Sequence, residues 1–170
     1  VFAALSVFRG GFTRESASVV AGVSLHQLRR LVEQSLIQPH QQRPNDVYRY
    51  TVHPLLRQYA AEKLDHMEEL YESIGSRFIE YYSDFLEQRI PLIQGTQQAQ
   101  AITDIQDEMD NMRAMWQQAI ARRDAQALNQ SATTYFLFCQ HHSLFLEGAE
   151  AMSEAAACLR PEARSDLCDR

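Results

Sequence analysis

Few residues in this chain have both the type and the setting to do chemistry, and His53 stands first among them. It follows the β-forming run Val47 to Val52 and directly precedes Pro54. A proline suits the first turn of a helix, because its missing N–H costs little there. An imidazole N–H donates to a phosphate oxygen, more strongly when protonated, and the opening of a helix is where anions bind. The same ring also fits a plainer role, capping the end of the strand or bonding the local backbone.

The other groupings promise less. Arg29 and Arg30, with His26 and Gln27 nearby, form a basic face on a short amphipathic segment. On a recognition helix they would face a DNA major groove, but two arginines are a thin footprint. Asp104, Asp107, Glu108 and Asp110 recur at helical spacing. They read as acids opposing a helix dipole near its start, with Asp110 and Arg113 pairing three residues apart. Cys139, His141 and His142 do not share one helix face, so no metal site is expected from them. Asn129-Gln130-Ser131 fits a glycosylation acceptor but sits mid-helix. No G-x-x-x-x-G-K-[ST] loop occurs, and Gly10-Gly11 reads as a turn. The chain by itself is therefore expected to hold no catalytic residue and no metal ligand, and not to be an enzyme.

These residues need a frame. Thr13 looks like an N-cap opening a helix through about Ala21, with Gly22 ending it. Ser24 and Gln27 make a capping box for the next helix, whose apolar face is Leu25, Leu28, Leu31 and Val32. Two short helices joined by Gly22-Val23-Ser24 are a helix-turn-helix pattern. Leu36 to Pro39 is a short apolar stretch, His40 to Asp46 a polar turn, and Val47 to Val52 a strand. Two strands around a polar loop after a helix-turn-helix make a wing. A helix then opens at Pro54. From Met67 the apolar residues Met67, Tyr71, Ile74, Phe78, Tyr82 and Phe85 form a helical stripe, broken at Pro91 and Gly95. Three further stripes follow: Ile102, Ile105, Met109, Met112, Trp116, Ile120; then Leu128, Ala132, Tyr135 or Phe136, Cys139 behind an Asp124 cap; then Phe145, Ala149, Met152, Ala156, Leu159 behind a Ser143 cap. Paired helices with short connections resemble stacked helical hairpins.

The fold class expected is mainly α: a winged-helix domain over 1–65, then TPR-like antiparallel hairpins over 66–170, the beginning of a longer array. Charge supports the division. Residues 1–65 hold 8 basic and 5 acidic side chains, a balance of +3, whereas residues 66–170 hold 8 and 17, a balance of -9. The second part is thus a poor surface for phosphates. No apolar run approaches the roughly 18 residues that span a bilayer, and no signal peptide is evident. Three cysteines, Cys139, Cys158 and Cys168, match no zinc or redox spacing. Reduced thiols in a cytoplasmic protein are expected, with no membrane partner. The opening VFAALSVF, which lacks an initiator methionine, reads as a start partway through an apolar helix of a longer protein.

Several stretches carry a family resemblance. Leu5 to Thr13 (LSVFRGGFT), Leu31 to Ile37 (LVEQSLI), Tyr48 to His53 (YRYTVH) and Leu56 to Leu64 (LRQYAAEKL) resemble the winged helix of bacterial STAND-type signalling ATPases with an NB-ARC-like core. Glu108-Met-Asp-Asn-Met-Arg-Ala114 is similar to that family's E-x-D-N-x-R-A pattern, and Leu146-Glu-Gly148 to its next hairpin. The resemblance implies an upstream nucleotide-binding domain as partner and ADP or ATP as cofactor of the parent protein, none being held by this segment alone. It also implies that the winged helix clamps that core, with His53 as the nucleotide-contacting residue through an M-H-D-like motif. Here the motif reads Val52-His53-Pro54, with proline where the family has an acid. The helical repeats would then bind an inducer or a protein partner and control transcription. The competing expectation is a DNA-binding regulator that dimerises through its helical part.

Overall fold

The computed structural model describes residues 1–40 and 48–160. Residues 41–46 of the expected polar turn, Val47, and everything from Pro161 onward, Cys168 included, lie outside those residues, whereas His40, expected to open the turn, ends a strand. The chain opens not with an α-helix but with a 3-10 helix, Ala3–Val7. Strand β1 (Phe12–Thr13), helices α1 (Arg14–Ala21) and α2 (Leu25–Glu33), strands β2 (Ile37–His40) and β3 (Arg49–Val52) and helix α3 (Pro54–Asp65) complete the first part.

Local chemistry sets these boundaries. The Thr13 hydroxyl accepts from the Ser16 amide while Ser16 Oγ accepts from the Thr13 amide, so α1 opens on a capping box. Ser24 and Gln27 make the same reciprocal pair at α2. Gly22 ends α1 in the left-handed region at φ 65°, which glycine enters without a Cβ penalty. Pro54 occupies the first turn of α3.

The sheet has three antiparallel strands in the order β1-β3-β2. Ile37 faces Val52 and His40 faces Arg49 across one ladder, while Phe12 faces Tyr50 across the other. Only two strands were expected. The extra one, β1, is two residues long, too short for an alternation to register in the sequence.

The remainder is helical: α4 (Glu68–Glu87), α5 (Ile90–Ile93), α6 (Gln98–Asp107), α7 (Met109–Ala121), α8 (Ala125–His141) and α9 (Phe145–Leu159). Helix α5 is a single turn containing Pro91, and Gly95 follows it, so the expected interruption falls there. The molecule is thus mainly helical with one small antiparallel sheet. Among the described residues no helix is long and apolar enough to cross a membrane.

The turn between α3 and α4 falls at the expected 65/66 boundary, yet the core does not divide there. Helix α4 packs on α1 and the 3-10 helix as well as on α7 and α8. Phe8 stacks on Phe12 at 4.8 Å and meets Phe78 edge-on at 5.7 Å, and Phe78 meets Tyr82 at 4.9 Å. These rings belong to one buried cluster that runs from Ala4 to Ala155.

Three of the four expected stripes point inward over most of their length. Ile74, Phe78 and Tyr82 are buried on α4, although Met67 and Tyr71 at its start are exposed. Ile102, Ile105, Met109, Met112 and Trp116 are buried across α6 and α7. Leu128, Tyr135 and Cys139 are buried on α8, and the open choice between Tyr135 and Phe136 falls to Tyr135, since Phe136 is exposed. Asp124 caps α8 by accepting from the Ala127 amide at 3.0 Å.

The fourth stripe is corrected. On α9 the buried residues are Gly148, Ala151 and Ala155, while Phe145 is 64% and Leu159 41% exposed. Small residues let α9 approach α8 closely: a Cβ on Gly148 would sit 3.0 Å from the Cys139 Cβ. Of the expected stripe Met152 is partly buried against the core, while Phe145 and Leu159 are turned to the outer side. Ser143 does not cap α9 either. Leu144 holds the N-cap position without a side-chain bond, and Ser143 stands in the left-handed region at φ 57°.

Candidate functional site: a buried clasp and an exposed histidine

His53 is the N-cap of α3, and its Nδ1 accepts from the Leu55 amide at 3.3 Å. The plainer role, bonding the backbone, is therefore filled. That bond has a chemical consequence. In the neutral ring the accepting nitrogen carries no proton, so Nε2 carries it and is the donor. The residue is exposed. An N–H donor is thus held beside the positive end of a twelve-residue helix.

Arg29, Arg30 and His26 are exposed on α2, and among the described residues none of their side chains makes an ion pair or hydrogen bond. Among those residues no three of His, Cys, Asp and Glu converge to hold a metal ion. The His142 ring lies on Phe138 at 4.4 Å, while Cys139 is buried on α8. Asn129 lies on the same helix, and Ser131 is fully buried with its hydroxyl donating to the Ala127 carbonyl.

The acidic group behaves differently from the expectation. Asp104 and Asp107 lie in the second half of α6, not near a helix start, and only Asp110 lies in the first turn of α7. Glu108 sits at the junction of the two helices and is buried at 6% exposure. Its carboxylate accepts from Arg49 Nη1, from the Tyr82 hydroxyl at 2.8 Å and from Asn111 Nδ2 at 2.7 Å. Arg49 comes from β3, Tyr82 from α4 and Asn111 from α7.

The network continues into the backbone. Arg49 Nη2 donates to the carbonyls of Gly11 and Asp107, at 2.7 and 3.0 Å. Asn111 Oδ1 accepts from the amides of Arg9 and Gly10, and its Nδ2 also donates to the Gly11 carbonyl at 2.8 Å. Gly10 and Gly11 are more than a turn. A Cβ on Gly10 would come within 3.3 Å of the Asp110 Cβ, and one on Gly11 within 3.2 Å of Arg49 Nε. A side chain at either position would crowd its neighbour where this backbone meets the clasp. Tyr82 is pushed well above the usual phenol value, first by burial and then by the Glu108 charge.

A second pair lies one helix further on. Arg113 Nε and Nη2 donate to the two carboxylate oxygens of Glu147 at 2.7 and 2.9 Å. The expected Asp110–Arg113 contact is also present, at 3.5 Å. Tyr135 donates to Glu147 as well, at 3.1 Å. The hydrogen bond from Arg113 holds the Glu147 carboxyl below its usual range. So within Glu108 to Ala114, Glu108 and Asn111 bind the first part of the chain and Arg113 binds α9.

A groove of about 1230 Å³ runs between α1, α4 and α6. Tyr81 lies along it with its phenol raised to about 12, by burial first and then by Glu15. Arg89 lies over the Phe85 ring at 3.3 Å and reaches Asp104 at 3.5 Å.

Sequence reasoning missed the clasp. The signal for it was Arg49, a lone charge inside a β-forming run, together with Glu108 and Asn111 three residues apart on one helical face. Comparison of the chain with family models, with curated proteins and with solved structures gives no match.

Proposed function

We propose that this chain is the regulatory segment of a STAND-type signalling ATPase, with residues 1–65 as a winged helix and residues 66–170 as the first hairpins of a TPR-like array. In this reading the winged helix closes over an upstream nucleotide-binding core, and the Nε2–H of His53 donates to a phosphate oxygen of bound ADP. The helical hairpins receive the inducer or protein partner, and the output is transcriptional. The observation that carries the reading is the His53 geometry: Nδ1 is occupied by the Leu55 amide, and the exposed ring lies at a helix N-terminus.

Two substitutions separate the roles of the ring. In the full-length protein, His53→Asn keeps a competent N-cap but removes the imidazole donor, and His53→Ala removes both. Both are expected to lower ADP retention by about tenfold or more, the size of one hydrogen bond to a charged group. Retention is measured as nucleotide remaining after gel filtration. Unchanged retention in both variants overturns the clamp.

The exposure of His26, Arg29 and Arg30 on α2 favours a second reading, in which α2 lies in a DNA groove. It requires duplex binding whose salt dependence weakens by about one unit of slope for each arginine removed. No salt-sensitive binding by the chain rules it out.

A further inference from the structure

We propose that the part of the chain before residue 65 and the helical part after it move as one rigid lever, locked in a single register by the Arg49–Glu108 clasp. The proposal concerns the regulation of the His53 site and takes the direction of the signal from the nucleotide-clamp reading. The rigidity itself does not depend on that reading.

The shared core and the clasp fix the register in different ways. Phe8, Phe12 and Phe78 meet across the core, and apolar contact is non-directional. The clasp is directional. Arg49 on β3 is bound to Glu108 at the α6–α7 junction, and Asn111 on α7 binds the backbone of Arg9, Gly10 and Gly11. A shift of either part by one residue along a helix, about 1.5 Å, would break these bonds and leave a guanidinium and a carboxylate buried without partners, which is strongly unfavourable. Tightly packed interfaces of this kind have discrete arrangements rather than a continuum. Arg49 is also four residues before His53 on the same strand and its exit. Displacement of His53 would therefore be delivered through β3 to α7, and through the Arg113–Glu147 pair to α9.

Native-state hydrogen exchange of this chain, with increasing denaturant and without nucleotide, tests the lever. The slowest amides of β3, α4 and α7 are expected to merge into one opening event with a common denaturant slope. Opening of β1, β3 and α1 while α7 and α8 stay protected overturns the proposal. Glu108→Gln removes the charge and keeps the shape; it should lower protection of β3 and α7 by the same factor, about tenfold or more. A loss confined to one side overturns the lock. Should that variant fail to fold, Tyr82→Phe removes one donor to Glu108, and the same equal loss on both sides, a few-fold, is expected. Because no nucleotide enters the measurement, failure here and failure of the His53 clamp are separate results.

Discussion

Glu108 is the residue on which the two parts of the chain converge, and its energetics are asymmetric. A buried ion pair is weak evidence for stability in itself, whereas removing one partner strands the other charge in the core. Glu108→Ala is therefore expected to destabilise the fold by about 3–5 kcal/mol, measured by urea unfolding. The double replacement Arg49→Met with Glu108→Leu should recover most of that loss, because it strands no charge. The helical spacing of Asp104, Asp107, Glu108 and Asp110 was visible in the sequence, but spacing along one helix carries no information about a strand 59 residues away. That is why Glu108 read as one of several acids opposing a helix dipole. The position of His53 between strand and helix was legible because its neighbours supply it: Pro54 marks the helix start, and the β-forming run before it contains the observed strand Arg49–Val52.

Glu147 shows how pH acts on a partly exposed pair. Its folded carboxyl is depressed, chiefly by the hydrogen bond from Arg113. The group thus adds stability above its unfolded value, roughly 4.3, and loses it as pH falls through the lower folded value. Glu147→Gln is expected to flatten that part of the acid limb of a stability profile while leaving the neutral region less stable than the parent. An unaltered acid limb would mean that the pair contributes nothing in solution.

At the scale of elements, the connections are as informative as the helices. After α7 and after α8 the chain turns in the same way: the Asp124 amide bonds the Ala119 carbonyl and the Leu144 amide bonds the Cys139 carbonyl, with Arg123 and Ser143 at positive φ. Leu36 and Leu31, around Ser35, repeat this after α2. Each is a Schellman turn with a non-glycine residue where glycine is usual. Ser143→Gly should raise stability by up to about 1 kcal/mol, read as a higher thermal midpoint. Gly148→Ala should do the reverse, since its Cβ would press on Cys139 at 3.0 Å and force α8 and α9 apart; a cost of about 1–3 kcal/mol is expected. N-caps at Thr13, Ser24 and Asp124 were legible because capping is decided within four residues. The Ser143 turn was not, because serine serves both caps and turns and only the backbone geometry tells them apart. The inward face of α9 was misread for a related reason. Hydrophobicity favoured Phe145 and Leu159, but the close approach to α8 selects glycine and alanine.

For the whole molecule, the continuity of the core has a consequence at high pH. The Tyr82 phenol is held well above its ordinary value by burial and by Glu108, and Tyr81 is raised to about 12. A phenol whose folded value is raised keeps its full contribution below the unfolded value, roughly 10. That contribution is lost as pH climbs from there toward the folded value, because the unfolded chain releases the proton first. For Tyr81 the window runs from roughly 10 to about 12. Stability should therefore fall across this alkaline range. Tyr82 packs on Phe78 of the same helix, which meets Phe8 of the first part, and donates to Glu108 of the clasp, so its ionisation cannot be confined to one part of the chain. Tyrosinate absorbance from the buried phenols and loss of helical circular dichroism are then expected to follow one another in a single alkaline transition, with the sheet and α7 lost together. In Tyr82→Phe, which has no proton to release at this site, the transition should move to higher pH, despite the hydrogen bond forfeited at neutral pH. If the helical signal of α6 to α9 survived while β1 and β3 were lost, the core would be two cores, and the boundary near residue 65 would be a division in packing as well as in charge.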